Sequence, residues 1–297
     1  MKPSLAKKDL EVAEFDAMSA LDSIRRDWKN FAPSDAVVPV LTEIIRTAGD
    51  LALGFFRPGA KTSAAISKKA GGSPVTEADH AVNRYLEDKL RALLPEAGWL
   101  SEESPDTDAR MSQDLVFIVD PIDGTRAFAA GERAWAVSVA VVYRKRPVIG
   151  IVHAPALGET YLAVKNGGAQ LNGNPISCST RLRLDASALV GGPLSMAAEL
   201  RGAGLQFDLI PKIPSLALRI AKVASGVLDA ALVSVNSNDW DIAASDLIVS
   251  EAGGKLTTIY GREILYNRSS TQQSELIVGP PPILAQISGA FLQARGA

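Results

Sequence analysis

The sequence predicts an α+β half followed by an α/β half, and three observations carry that reading. Two amphipathic helical patterns open the first half. A run of short β-rich segments joined by turn residues fills roughly 115–175. From about residue 184 strand and helix patterns alternate. A chain of 297 residues is long enough to bury cores in both halves, with a joint near 180–185.

The elements follow in order. Residues 1–34 are charged and mixed, with Val12, Phe15, Met18, Leu21, Ile24 and Trp28 recurring at helical spacing over 11–31. They predict an N-terminal helical extension that serves packing or subunit contact. Ala32-Pro33-Ser34-Asp35 breaks that helix and caps the next, predicted over 36–57. Residues 57–74, rich in Gly, Ser and Lys, read as a mobile loop running into Val75-Thr76-Glu77-Ala78-Asp79, and a second amphipathic helix is predicted around 78–94. The apolar run 115–119 reads as a buried strand. Residues 136–143, 147–153 and 160–165 read as further strands, with hairpin turns at 166–168 and 171–175 that suggest an antiparallel sheet. In the second half, strands are predicted at 188–191, 230–235 and 276–278. Helices are predicted at 196–202, 216–228, 242–252 and 282–291, the third ended by Gly253-Gly254. The division is therefore 1–34 extension, 35–183 α+β, and 184–297 α/β.

Composition narrows the chemistry. With 47% hydrophobic and 22% charged residues, the chain has an ordinary globular make-up. Lys+Arg 31 against Asp+Glu 33 leaves a net charge of −2, without the basic field that nucleic-acid binding requires. The single cysteine, Cys178, excludes an internal disulfide and a cysteine zinc cage, and reads as a small apolar residue near a turn. No apolar run reaches the ~18 residues needed to span a bilayer, and the start of the chain lacks a secretory signal pattern, so the expectation is a cytoplasmic protein without membrane contact. Only His80 and His153 are present, which leaves the acids to carry any mechanism.

Residues 115–128, LVFIVDPIDGTRAF, place two acids at the mouth of a buried strand. Burying an unpaired charge is costly, and a metal ion is the usual compensation. Three acidic clusters stand out: Glu102-Glu103, Asp120 with Asp123, and Asp239-Trp240-Asp241. Each has an ordinary reading as a solvated pair, a helix cap or a turn. That reading is weakest for Asp120 and Asp123, because they follow the apolar run directly, Pro121 stiffens the link, and Gly124 admits a close ligand. Mg²⁺ takes carboxylate oxygens, backbone carbonyls such as that of Ile122, and substrate phosphates. A short helix starting at Thr125 would aim free N–H groups at the same place. Haloacid-dehalogenase-type phosphatases also end a strand in aspartates. Their Asp-x-Asp spacing keeps both on one strand face, whereas Asp-x-x-Asp breaks the period of two and favours metal ligation over an aspartyl phosphate.

Asp120-Pro121-Ile122-Asp123-Gly124-Thr125 resembles the signature of the inositol monophosphatase-like superfamily. Its second signature is matched by Trp240-Asp241-Ile242-Ala243-Ala244 with Val249-Ser250-Glu251-Ala252-Gly253-Gly254. Pro74-Val75-Thr76-Glu77-Ala78-Asp79 and Ser101-Glu102-Glu103-Ser104 match two further segments in order, over roughly 38–280. The resemblance implies a layered αβαβα sandwich of the sugar-phosphatase type and a Mg²⁺-dependent, lithium-sensitive phosphatase acting through metal-activated water. It implies a first metal on Glu102, Asp120 and the Ile122 carbonyl, and a second on Asp120, Asp123 and Asp241. A third, weaker ion would use Glu102 and Asp79 through water. Thr125, bonded to Asp79, would orient the attacking water, and the Gly124 and Thr125 amides, beside Asp123, would receive the phosphate. Lys68 would stand at the loop-lysine position, with Lys69 as the alternative. Glu103, Asp239 and Glu251 are further candidates beside surface or capping roles.

The substrate implied is a small phosphorylated metabolite. Ser234 stands where inositol phosphatases carry a Glu, seven residues before Asp241, and Pro214 replaces a glycine of a pocket segment. Ser101 before Glu102-Glu103 points to the 3′(2′),5′-bisphosphate nucleotidase branch, hydrolysing adenosine 3′,5′-bisphosphate to AMP. The segment 241–249 points the other way, to inositol-1-monophosphatase or a related sugar-phosphate phosphatase. A non-catalytic regulatory binding protein is the alternative of another class, and a homodimer is one candidate assembly.

Overall fold

The computed structural model describes residues 37–69 and 72–296, so the helix expected at 11–31 lies outside the described residues. Helix α1 spans Val37–Phe55 and α2 spans Glu77–Leu93. Between them lies the hairpin of β1 (Ile66–Lys68) and β2 (Pro74–Thr76). Strands β3 (Gly98–Ser101), β4 (Leu115–Asp123), β5 (Ala136–Tyr143), β6 (Arg146–Ala154), β7 (Glu159–Val164), β8 (Gly168–Leu171) and β9 (Asn174–Pro175) form a seven-stranded sheet in that order. The short helix α3 (Thr125–Ala130) joins β4 to β5. The pairing is antiparallel as expected, except that β3 lies parallel to β4.

The second sheet has the order β11 (Asp208–Ile210), β10 (Leu189–Gly191), β12 (Ala230–Val233), β14 (Leu276–Gly279), β13 (Lys255–Thr258). The first three strands are parallel and the last two antiparallel to their neighbours. Helices α4 (Leu194–Gly202), α5 (Leu216–Ala224), α6 (Asp239–Glu251) and α7 (Pro281–Arg295) complete the chain.

Strand periodicity sorts side chains into three cores. Phe117 and Val119 of β4 pack with Leu41, Ile45, Leu86 and Leu90 of α1 and α2. Their neighbours Val116 and Ile118 face the other way, onto Leu218, Ala221, Ile242 and Ile248 of α5 and α6. Ala231 and Val233 of β12 close that middle core from the second sheet. Ala230 and Leu232 face outward onto Met196, Leu200, Ile287 and Phe291 of α4 and α7. The layers are thus α1α2, seven strands, α5α6, five strands, α4α7, the αβαβα sandwich that the resemblance implies.

Several boundaries move, each for a local reason. The strand predicted at 115–119 runs on to Asp123. The helix predicted from 242 begins at Asp239, where the Asn238 backbone N–H donates to Asp241 in a capping box. The helix predicted to 228 stops at Ala224, because Gly226 takes a left-handed turn (φ 71°). Strands β1, β2, β3, β11 and β13 lie in segments without a clear period and escape sequence reasoning, as do β8 and β9, which overlap the segments read as hairpin turns. Among the described residues no helix is long and apolar enough to cross a membrane.

Candidate functional site

The acids of β4 meet at a bulge. Asp120 pairs with Ser138 and Asp123 with Ala136, so three steps on β4 oppose two on β5. The extra residue turns a spacing of three into one shared face, and Pro121, which cannot donate to a ladder, sits inside it. The Ile122 N–H donates to Asp120 Oδ1 at 3.1 Å, fixing the loop over the first carboxylate.

Asp241 comes from the other half of the chain. The first turn of α6 delivers it, and the Asn238 N–H donates to its Oδ2 at 2.6 Å. Asp120, Asp123 and Asp241 each offer a carboxylate oxygen, and these oxygens lie within 4.8 Å of one another. Asp120 is 1% and Asp123 6% exposed. Three such carboxylates in so small a volume repel one another and have lost water. Burial first, then the charges of Glu102, Asp123, Asp241 and Asp79, push Asp120 well above the ordinary carboxylate range. Burial pushes Asp123 up to about 6, against hydrogen bonds from the Ser215 hydroxyl and the amides of Ala217 and Leu216. Burial and the Asp123 charge raise Asp241. An all-oxygen set of this kind fits a hard divalent cation, whose charge would remove both penalties.

A hydroxyl relay stands beside the trio. Thr76 caps α2 and clamps Asp79, its N–H and hydroxyl donating to Oδ2 at 2.8 and 2.6 Å. The other oxygen, Oδ1, faces the Thr125 hydroxyl at 3.1 Å, and that hydroxyl also lies 3.1 Å from the Ile122 carbonyl. Burial raises Asp79 despite these bonds. Gly124, between Ile122 and Thr125, has φ 93°, and a Cβ there would press on the Ala134 carbonyl at 3.2 Å and the Ser215 N at 3.3 Å. It caps α3, so the amides of Gly124 and Thr125 stand at the start of that helix, as expected.

Of the two candidate loop lysines, Lys69 is the one that reaches the acids. In β1 the side chain of Lys68 is exposed, whereas Lys69 Nζ lies 2.6 Å from both Glu102 and Glu103. Alternation along the hairpin separates the neighbours. Burial opposes the Lys69 charge, but Glu102 and Glu103 outweigh it and raise its pKa. Burial pushes Glu103 up to about 7 with Lys69 opposing. Glu102 thus stands at the edge of the trio, held by the ammonium. Asp239 turns away into a buried network, accepting from Gln273 at 2.6 Å and from the Asn267 N–H at 3.1 Å. Glu251 accepts from the amides of Asn166 and Gly168, ten residues along α6 from Asp241. Neither joins the trio.

Two groups went unassigned in the sequence, although the resemblance places the neighbouring Pro214 in a pocket segment. The Ser215 hydroxyl and the Ala217 N–H, at the start of α5, both donate to Asp123 Oδ2 at 2.6 Å. A serine before an apolar helix was a cap signal, but nothing local to it points at β4. The same helix buries Arg219, whose isolated charge in LALRIAKVA was the visible clue.

The model of the inositol monophosphatase family matches residues 34–290. A 3′(2′),5′-bisphosphate nucleotidase CysQ of Aggregatibacter actinomycetemcomitans is 30% identical over 251 residues, 78% of this chain and 90% of the relative. A fructose-1,6-bisphosphatase/inositol-1-monophosphatase of Thermotoga maritima is 34% identical over 204 residues, 67% of this chain and 77% of the relative. Among solved structures, the extragenic suppressor protein suhB of Bartonella henselae superposes with a TM-score of 0.75 at 28% identity, over 86% of this chain and 98% of that one.

Proposed function

The chain belongs to the inositol monophosphatase family and is a phosphatase, and from that premise we propose that it is a Mg²⁺-dependent phosphomonoesterase acting on a 3′(2′),5′-bisphosphate nucleotide such as adenosine 3′,5′-bisphosphate. The observation that carries the chemistry is the meeting of Asp120, Asp123 and Asp241 within 4.8 Å, from two halves of the chain. Asp120, Asp123 and Asp241 would hold one Mg²⁺, and Glu102, Asp120 and the Ile122 carbonyl a second. Bound there, the ions supply the positive charge that makes water nucleophilic at neutral pH and steadies the departing oxygen.

The residues do the rest. The Thr125 hydroxyl is oriented by Asp79 Oδ1 and the Ile122 carbonyl, which leaves its oxygen lone pairs to accept from the attacking water. Asp79, already clamped by Thr76, then takes the proton load through that hydroxyl. The amides of Gly124 and Thr125 hold the phosphate oxygens. Lys69 tethers the β1–β2 hairpin to Glu102 and Glu103.

The nucleotide reading is supported by the nucleotidase relative, matched over 90% of its length, and by Ser234 in place of a hydroxyl-gripping Glu. The Thermotoga relative supports a second reading, inositol 1-phosphate. Phosphate release with Mg²⁺ from adenosine 3′,5′-bisphosphate, inositol 1-phosphate and fructose 1,6-bisphosphate separates them. The nucleotide is expected to give the highest kcat/KM, with lithium inhibiting. A clear preference for inositol 1-phosphate sinks the nucleotide reading.

A further inference from the structure

Glu102 stands in a turn, and one side chain from another element grips that turn at both ends. Strand β3 ends at Ser101, and Glu102 and Glu103 form the turn that follows it. The Ser101 hydroxyl donates to Asn83 Oδ1 at 2.7 Å, and Asn83 Nδ2 donates to the Ser104 hydroxyl at 2.9 Å. Ser101 Oγ also accepts from the Glu103 N–H at 3.3 Å, and Ser104 Oγ accepts from Trp99 Nε1 at 3.1 Å. A carbonyl oxygen only accepts, so the Ser101 proton must point at Asn83, and both ends of the carboxamide are engaged. Asn83 is 6% and Ser101 3% exposed, so a partner lost here is not replaced freely by water.

The position of Asn83 gives that grip a use. It follows Asp79 by four residues in α2, so the two share one face of the helix. Asp79 meets the Thr125 hydroxyl at 3.1 Å, while Asn83 holds the turn of Glu102. One helix therefore fixes the spacing between the hydroxyl relay and the acid. Two forces act against that spacing. After burial, Glu102 is the charge that most raises Asp120, so the two carboxylates repel each other. Lys69 Nζ, 2.6 Å from Glu102, draws it toward the β1–β2 hairpin. Repelled on one side and attracted on the other, Glu102 stays beside Asp120 only if its backbone is anchored.

We propose that Asn83 is the positioning residue of Glu102: by clamping Ser101 and Ser104 to α2 it sets the affinity of the Mg²⁺ that Glu102 shares with Asp120 and the Ile122 carbonyl. This rests on the Mg²⁺ reading above and adds a residue that touches neither metal nor substrate.

The test is calorimetric titration of the full chain with Mg²⁺. Wild type is expected to bind in two phases, of which Glu102→Gln removes one and Asp241→Asn the other. Asn83→Ala should weaken the phase that Glu102→Gln removes by about 10- to 100-fold, the scale on which residues that orient a ligand act, and leave the other within about twofold. Added to Glu102→Gln, Asn83→Ala should change the remaining phase no further, because its effect runs through Glu102. The Mg²⁺ concentration for half-maximal phosphate release should rise in Asn83→Ala, with kcat recovered at saturating Mg²⁺. Ser101→Ala, which keeps the Ser104 half of the grip, should fall between, and it carries the comparison if Asn83→Ala does not fold. Two phases that weaken together, or a Glu102 phase that keeps its affinity in both folded variants, give Asn83 a purely structural part and overturn the proposal. A wild type that binds no Mg²⁺ overturns the metal reading itself, and the proposal with it.

Discussion

Asp123 is the residue on which the two halves of the chain agree, since β4 carries it and α5 holds it in place. Two donors at 2.6 Å fix its Oδ2, and one of its carboxylate oxygens lies within 4.8 Å of those of Asp120 and Asp241. Asp123→Asn removes that charge and is expected to lower phosphate release by at least about 100-fold with the fold retained, read by turnover and circular dichroism. Ser215→Ala leaves the aspartate in place and takes away one donor. It should weaken Mg²⁺ affinity by roughly 10- to 100-fold, measured by calorimetric titration, because residues that orient a ligand act at that scale. At this scale the sequence was most legible for residues whose chemistry is local. Asp120 and Asp123 announce themselves by following an apolar run. Ser215 and Arg219 lie some ninety residues further on, and no local rule links them to β4. Lys68 and Lys69 differ only in which face of a short hairpin they occupy, which spacing to Asp79 does not decide.

Among the elements, α6 is the one whose placement matters most, because its first turn carries Asp241. Its contact with the seven-stranded sheet is backbone against backbone: a Cβ at Gly150 of β6 would lie 2.3 Å from the Ala244 carbonyl oxygen. Gly150→Ala therefore pushes α6 off the sheet. It is expected to cost about 1–3 kcal/mol of stability in urea unfolding and to weaken Mg²⁺ binding as well. The same strand meets α1 through His153, which is 8% exposed and lies 2.9 Å from the Thr160 hydroxyl. Burial and the charge of Arg46 lower its pKa below the ordinary 6.5, while Asp50 and a backbone hydrogen bond oppose. The folded protein then binds fewer protons than the unfolded chain. The stability of the neutral ring is fully present above pH 6.5 and is lost as pH falls toward the folded value. Because the buried carboxylates titrate with the opposite sign, the His153 effect is read by difference: wild type should lose unfolding midpoint relative to His153→Gln between pH 7.5 and 5. Periodicity gave α1 and α2 closely because each turns one face to one core, and β5 stood out as an apolar run buried on both faces. It misjudged the start of α6, which is buried on nearly all sides and is set by the Asn238 cap rather than by a polar face.

For the molecule as a whole, the five layers hold like charges together that would separate if the layers did. Without a cation, Asp120, Asp123 and Asp241 have raised pKa values, so the folded state retains protons that the unfolded chain has released. That contribution is fully present below pH 3.8 and is lost as pH rises through the folded values, about 6 for Asp123. In metal-free protein at pH 7.5, Asp241→Asn should therefore unfold at a higher temperature than wild type. Mg²⁺ at about 100 times its Kd should stabilise wild type by ~2.7 kcal/mol and leave the variant nearly unchanged, reversing the order. A variant that is less stable than wild type without metal would show that repulsion is not what the layers contain. The sequence by itself determined the order of an α+β half and an α/β half and the strand that ends in acids, since apolar period and the burial cost of charge are local properties, and its motifs, by resemblance, implied the layers and the class of chemistry. Only the tertiary structure decided that a bulge puts Asp120 and Asp123 on one face, that Lys69 and not Lys68 reaches Glu102, and that Arg219 buries its Nε and Nη1 without a hydrogen-bond partner among the described residues. Each of those depends on distances between segments far apart in the chain, which packing sets and residue order does not.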